Sequence, residues 1–200
     1  MIKNIIFDFG DIFINLDKTA TALELSKFGF TEITPELDTL MKSYEKGLIS
    51  SDDFIADTNK IFTTATPEQL KIAWNKIILD FPEERLTFIE TLAKETNYRL
   101  FLLSNTNELH IEQVIKNMNI DRYNRFKNCF EQFYLSHLIN FRKPDAAIYE
   151  FVLKENNLKA KESFFIDDTK ENTIAAEKLG IKSWNLQVGK EDIINLKSKL

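Results

Sequence analysis

Ile5-Ile6-Phe7-Asp8, Leu100-Phe101-Leu102-Leu103-Ser104-Asn105 and Phe164-Phe165-Ile166-Asp167-Asp168 share one design: a short apolar run that ends in polar side chains able to do chemistry. Short apolar runs set between helical patterns read as parallel strands buried on both faces. In open α/β sheets, ligands gather at the carboxyl ends of such strands. The three polar ends therefore fall on one rim, and Lys143-Pro144 supplies a cation between the second and third of them in chain order.

Between the first and second runs the pattern is helical throughout. Leu23, Leu25 and Phe28 mark one segment, and Leu37, Leu40, Met41 and Tyr44 mark a second that Gly47 stops. Ser50-Ser51-Asp52-Asp53 places a capping hydroxyl and two acids where a helix N-terminus favours them, ahead of Phe54, Ile55 and Ile61. Pro67-Glu68 opens a helix through Leu70, Trp74 and Ile78, and Pro82 opens another through Leu92. From Tyr98 onward strand and helix alternate. The expectation is an α/β protein: a Rossmann-like parallel sheet core formed by residues 1–15 and 82–200, with a small helical cap, residues 16–81, inserted after the first strand and seated over the rim.

Composition narrows the function classes. The 200 residues carry 44% hydrophobic side chains and 17 Phe, apolar surface that a disordered chain would lack. A formal net charge of −5 and no run of Lys or Arg argue against a nucleic-acid partner. No segment is long and apolar enough for a signal peptide or a membrane span, and the single Cys129 can form no intrachain disulfide. The expectation is a soluble cytoplasmic protein acting on a small molecule; the sequence specifies no oligomeric state.

Each signature also has a plainer reading. A strand-end Asp such as Asp8 is commonly a turn former, and Ser104-Asn105 could be a helix N-cap, although the same geometry makes an anion site. Lys143, alone, would be a surface lysine; held before Pro144 it is a point-charge partner for phosphate. Asp167-Asp168, with Asn172 a turn later, is the most specific feature. Adjacent acids opposite Asp8 repel one another unless they share a cation, and hard oxygen ligands suit Mg²⁺. Trp74 and Phe81 read as cap packing, and His110 as a partly exposed helical residue.

Together these residues resemble the haloacid dehalogenase (HAD) superfamily from Ile5 to Leu186. Tyr44-Glu45-Lys46-Gly47-Leu48-Ile49-Ser50, Leu103-Ser104-Asn105-Thr106-Asn107, Tyr134-Leu135-Ser136, Arg142-Lys143-Pro144 with Ile148-Tyr149, and Phe165-Ile166-Asp167-Asp168 with Asn172 are similar to its branch of α-D-glucose-1-phosphate phosphatases. The resemblance implies an Mg²⁺-dependent phosphatase of a small phosphorylated metabolite, a sugar phosphate in the first instance. It implies Asp8 as nucleophile, passing through an aspartyl-phosphate. Asp8, the Gly10 carbonyl and Asp168 would hold Mg²⁺, while Ser104, Asn105 and Lys143 would bind the phosphoryl group. Asp167 and Asn172 would orient the metal's waters and Lys143. Asn140 stands where family members often have Gly, a place for left-handed backbone.

One departure bears on mechanism. Most phosphatases of the family carry a second Asp two residues after the nucleophile, and here that residue is Gly10. Asp11 is either a turn residue or a shifted acid/base; in extended backbone its side chain would point away from its neighbour's side. Two rival functions follow: a phosphate-binding or regulatory protein that lost turnover, and a 2-haloacid dehalogenase, which would need no metal and usually has Tyr where Gly10 stands.

Overall fold

The computed structural model describes residues 1–200. Five strands, β1 (Asn4–Phe7), β2 (Arg99–Ser104), β3 (Gln132–Leu135), β4 (Ser163–Asp167) and β5 (Lys182–Asn185), form one parallel sheet in the order β3-β2-β1-β4-β5. β1 is central, with Phe7 opposite Leu102 on one side and Ile166 on the other. Asp8 and Asp167 therefore leave neighbouring strands at the same level, with Ser104 one residue further along β2. The expected α/β architecture is found.

Alternation of side chains along the strands builds two cores. Ile5, Phe7, Leu100, Leu102, Phe164 and Ile166 face α5 (Glu83–Lys94), α6 (Glu108–Met118) and α7 (Ile120–Lys127). That layer is aromatic: Phe9 stacks on Phe126 at 5.1 Å, and Phe13 meets Phe126 edge-on at 4.9 Å. On the opposite face Ile6, Phe101, Leu103 and Phe165 pack against α9 (Ala146–Glu155) and α10 (Lys170–Lys178). A one-turn helix, α8 (Ser136–Ile139), follows β3 directly.

Four helices, α1 (Ala20–Ser26), α2 (Pro35–Glu45), α3 (Ser51–Ile61) and α4 (Pro67–Asn75), lie between β1 and α5. Local chemistry sets their starts. Thr34, Ser50 and Thr66 each accept a hydrogen bond from the third residue beyond, and Gln69 completes a capping box. Leu25, Leu37, Phe62 and Leu70 form a small core of their own. Tyr44, Phe54 and Trp74 join it to Leu109 of α6. At the neck, Leu16 bridges Ile78, with Asn15 N donating to Asp80 O at 2.9 Å and Leu79 N to Asn15 O at 3.1 Å. No helix is long and apolar enough to cross a membrane.

Candidate active site

Asp8 is the first residue past β1, and only 8% of it is exposed. Its Oδ1 accepts a hydrogen bond from Lys143 Nζ at 2.7 Å, while Oδ2 takes none from the chain. The backbone N–H groups of Phe9, Gly10 and Asn105 likewise donate to no group in the chain. Successive N–H groups left without a partner in the chain form a concavity that favours anions, and these three at the strand ends mark a seat for an anion's oxygens.

Lys143 is 1% exposed, too deep for the surface lysine of its plainer reading. Its ammonium lies 2.6 Å from Asp167 Oδ2 and 2.7 Å from Asp8 Oδ1, and 5.4 Å above the Phe165 ring. Burial opposes its charge, yet Asp167 and Asp8 hold its pKa above the ordinary lysine value. Burial pushes the Asp8 carboxyl up to about 7; Lys143 works against the rise, and Asp167 and Asp168 add to it.

Asn105 does more than the sequence suggests. Its side chain accepts from Lys143 N and donates to Lys143 O, both at 2.8 Å, so it fixes the lysine's backbone and leaves only its own N–H for an anion. Ser104 is buried beside it. The cap of α6 is neither residue but Asn107, whose side chain accepts from His110 N at 3.0 Å. That frees the Ser104-Asn105 end of β2 from capping duty. Asn140 adopts the left-handed conformation at φ 60° and donates to Lys46 O at 2.8 Å, tying the Lys143 loop to the end of α2.

The acidic pair divides its work. Asp167, fully buried, accepts from Lys143, from Thr169 N at 2.8 Å and from Asn172 Nδ2 on both oxygens. Asn172 is held in turn, its carbonyl accepting from Tyr149 at 2.9 Å. Asp168 lacks this web and pairs only with Lys18. One oxygen each of Asp8, Asp167 and Asp168 lies within 4.8 Å of the others, an all-carboxylate cluster. With Asp167 saturated, the oxygens open to a hard cation are Asp8 Oδ2, Asp168 Oδ1, the one not paired with Lys18, and the Gly10 carbonyl, which accepts no hydrogen bond. The donor set fits Mg²⁺.

Asp11 differs from its extended-backbone expectation. It takes φ 55°, and its buried carboxylate accepts from Leu16 N at 3.0 Å and pairs with Lys18 Nζ at 2.9 Å. Lys18 bridges Asp11 and Asp168, and these two acids overcome burial to raise its pKa. Sequence reading missed Lys18. Its partner Asp168 lies 150 residues away, and no local pattern marks it. The five polar residues Asp8, Ser104, Asn105, Lys143 and Asp167 are brought together with Asp168, Asn172 and Gly10; Trp74 and His110 border the site through Asn107, to which Trp74 Nε1 donates at 3.3 Å.

An anion seat and a cation seat set around one buried carboxylate serve the hydrolysis of phosphoric monoesters, and that is the class of enzyme this rim defines. The chain belongs to the haloacid dehalogenase-like hydrolase family, whose model matches residues 5–186. Among its relatives is a D-ribitol-5-phosphate phosphatase of Bacteroides thetaiotaomicron, 26% identical over 195 residues and matched over 94% of each chain. A sesquiterpene phosphatase of Aspergillus oryzae is 26% identical over 193 residues, 92% of this chain and 89% of that one. Among solved structures, a HAD family enzyme of Bacteroides thetaiotaomicron, an aspartate-to-alanine mutant in complex with magnesium and inorganic phosphate, superposes with a TM-score of 0.84. It shares 31% identity and is covered over 96% of both chains.

Proposed function

We propose that this protein is an Mg²⁺-dependent phosphatase of small phosphomonoesters that works through a phosphoryl group carried on Asp8. The observation that carries the reading is the Asp8 carboxylate itself: buried at a strand end, touched by one ammonium, flanked by unpaired backbone amides and facing Asp168. A carboxylate oxygen of Asp8 attacks phosphorus as the bond from phosphorus to the ester oxygen breaks. Water then attacks the same phosphorus, and the bond to Asp8 breaks to release inorganic phosphate.

Lys143 and the N–H groups of Phe9, Gly10 and Asn105 stabilise the charge on the transferring group's oxygens. Bound by Asp8, the Gly10 carbonyl and Asp168, Mg²⁺ supplies positive charge that keeps Asp8 ionised and offsets its repulsion from the substrate. Asp167 and Asn172 are positioning residues that hold Lys143 and the acidic loop. The helical segment 16–81 is the cap that covers the departing alcohol.

No side chain in the site is free to protonate that alcohol. Gly10 has none, and Asp11 is an acceptor held by Leu16 and Lys18. A sugar or polyol phosphate is the substrate that the D-ribitol-5-phosphate phosphatase relative favours, whereas the sesquiterpene phosphatase relative points to an apolar alcohol. Trapping tests the chemistry: with Mg²⁺ and beryllium fluoride, or after quenching with a fast phosphate donor, mass spectrometry should find the adduct on Asp8. Hydrolysis of p-nitrophenyl phosphate should vanish in Asp8→Asn. Absence of hydrolysis in the wild type, with phosphate still bound, would favour the regulatory reading that the missing second acid suggests. Metal-free halide release from a 2-haloacid would favour the dehalogenase.

A further inference from the structure

A cavity of about 200 Å³ opens among α1, α2, α3 and α4, with Lys18 and His110 of α6 on the side toward the sheet. Nine of its fourteen lining residues are hydrophobic, Met41, Phe54 and Trp74 among them. Each catalytic loop holds one wall. Lys18 runs along the cavity and ends on Asp11 and Asp168. Trp74 and His110 are fixed by Asn107, three residues past Ser104. Glu45 is fixed by Arg142, next to Lys143, at 2.8 and 2.9 Å. Lys18 thereby joins the cavity wall to the Asp11 and Asp168 side of the site.

The five polar lining residues are Lys18, Thr21, Glu45, Thr58 and His110, and each already has a partner within the chain. Thr21 donates to Trp74 O at 3.3 Å, and Thr58 donates to Phe54 O at 2.7 Å. His110 donates from Nε2 to Trp74 O at 3.1 Å, and its Nδ1 accepts from Asn107. Lys18 and Glu45 are committed to the ion pairs above. A polyol placed here would lose water from its hydroxyls and find the walls' polar groups engaged, whereas a hydrocarbon loses nothing by entering.

We propose that this cavity selects the phosphomonoester of an apolar alcohol about the size of one aromatic ring over that of a polyol. Size agrees, since a dry cavity of roughly 150 Å³ holds benzene. The missing acid at Gly10 acts in the same direction, because aryl alcohols leave without protonation and carry the ring the cavity fits. The proposal rests on the phosphatase reading of the same site, so its test includes a measurement that needs no turnover.

Benzyl phosphate and ribitol 5-phosphate are both alkyl esters, so comparing them separates cavity fit from the ease of departure of an aryl group. With Mg²⁺ the wild type should show kcat/KM for benzyl phosphate about ten- to a hundred-fold higher, the range that hydrocarbon contacts in a pocket typically give. Ala22→Phe, on α1 and lining the cavity, should remove most of that preference, read as the ratio of kcat/KM for benzyl phosphate to that for ribitol 5-phosphate. In calorimetry, benzylphosphonate should bind the wild type about ten-fold more tightly than methylphosphonate. Tighter benzylphosphonate binding without hydrolysis of any ester would uphold the cavity's role and refute the phosphatase reading. Ribitol 5-phosphate turned over as well as benzyl phosphate, or the two phosphonates bound equally, would overturn the proposal.

Discussion

Replacing Lys143 by Met keeps the length of the side chain and removes the one charge that the buried acids share. Lys143 is 1% exposed, with Asp167 at 2.6 Å and Asp8 at 2.7 Å. Breaking a buried pair by deleting one partner costs about 3–5 kcal/mol, because the remaining charge is stranded. Two features place this case near the lower figure. Asp167 keeps its bonds from Thr169 N and Asn172, and Asp8, already pushed up to about 7 by burial, can escape by taking a proton. A raised carboxyl pKa means that the folded state binds the proton more tightly than the unfolded chain, so its unfavourable contribution is absent at low pH and grows as pH rises through the folded value. Without Lys143 that value climbs further. Urea unfolding in EDTA should show Lys143→Met losing about 3 kcal/mol relative to wild type near pH 8 and distinctly less near pH 5. Adding Asp167→Asn, which removes the facing charge, should return at least about 1 kcal/mol of that loss near pH 8. At saturating Mg²⁺, turnover of p-nitrophenyl phosphate by Lys143→Met should fall about 10²–10³-fold. A loss under about 0.5 kcal/mol, or one independent of pH, would refute the picture of a buried ammonium shared by two acids.

Asp168→Ala should abolish Mg²⁺ binding in calorimetry, whereas Asp167→Asn, which disturbs a positioning residue, should weaken it by about 10–100-fold; equal affinities would reject this division of labour. At Gly10 an added Cβ would come within 2.7 Å of Leu16 Cδ1, the tip of a half-buried side chain that can turn aside, so Gly10→Asp should fold, and pairing it with Leu16→Ala removes the contact altogether. The paired variant should narrow the rate gap between aryl and alkyl phosphates by up to about 10²-fold, read as a flatter dependence of rate on leaving-group pKa. His110 is depressed to about 4 by burial, so its neutral form is favoured by folding; stability should be unaffected above about pH 6.5 and fall as pH drops toward 4. The drop is at most about 3 kcal/mol at ~1.36 kcal/mol per pH unit. His110→Gln should flatten that part of a urea-measured stability profile.

What the sequence disclosed follows from where the signal is local. β1, β2 and β4 are central strands buried on both faces, and uninterrupted apolar runs betray them. β3 and β5 are edge strands with half-exposed faces, Gln132-Phe133-Tyr134-Leu135 and Lys182-Ser183-Trp184-Asn185, and carry no such run. Helix starts at Ser50, Pro67 and Pro82 are written in neighbouring residues and were legible, whereas the capping box of Thr66 and Gln69 shows only in the fold. Roles fixed across the fold were not. Lys18 gains its place from Asp168, the Asn105 side chain from Lys143, and Asp11 its lock from a left-handed turn that its own residue type does not announce.

Asn15 and Asp80, the two ends of the helical segment, meet in a backbone hydrogen bond of 2.9 Å, and Leu79 returns one of 3.1 Å to Asn15. To the sheet, the whole segment between them is a loop whose ends are already closed. Closing a loop costs only about 0.6 kcal/mol more for each doubling of its length, so the sheet is nearly indifferent to how many residues lie beyond the neck. A segment joined in this way can change in length, as a cassette would, without moving the strands or the acids at their tips. A replacement that starts and finishes at the same hydrogen-bonded doorway would keep the sheet's register, provided it restores the bridge that Lys18 makes to Asp11 and Asp168.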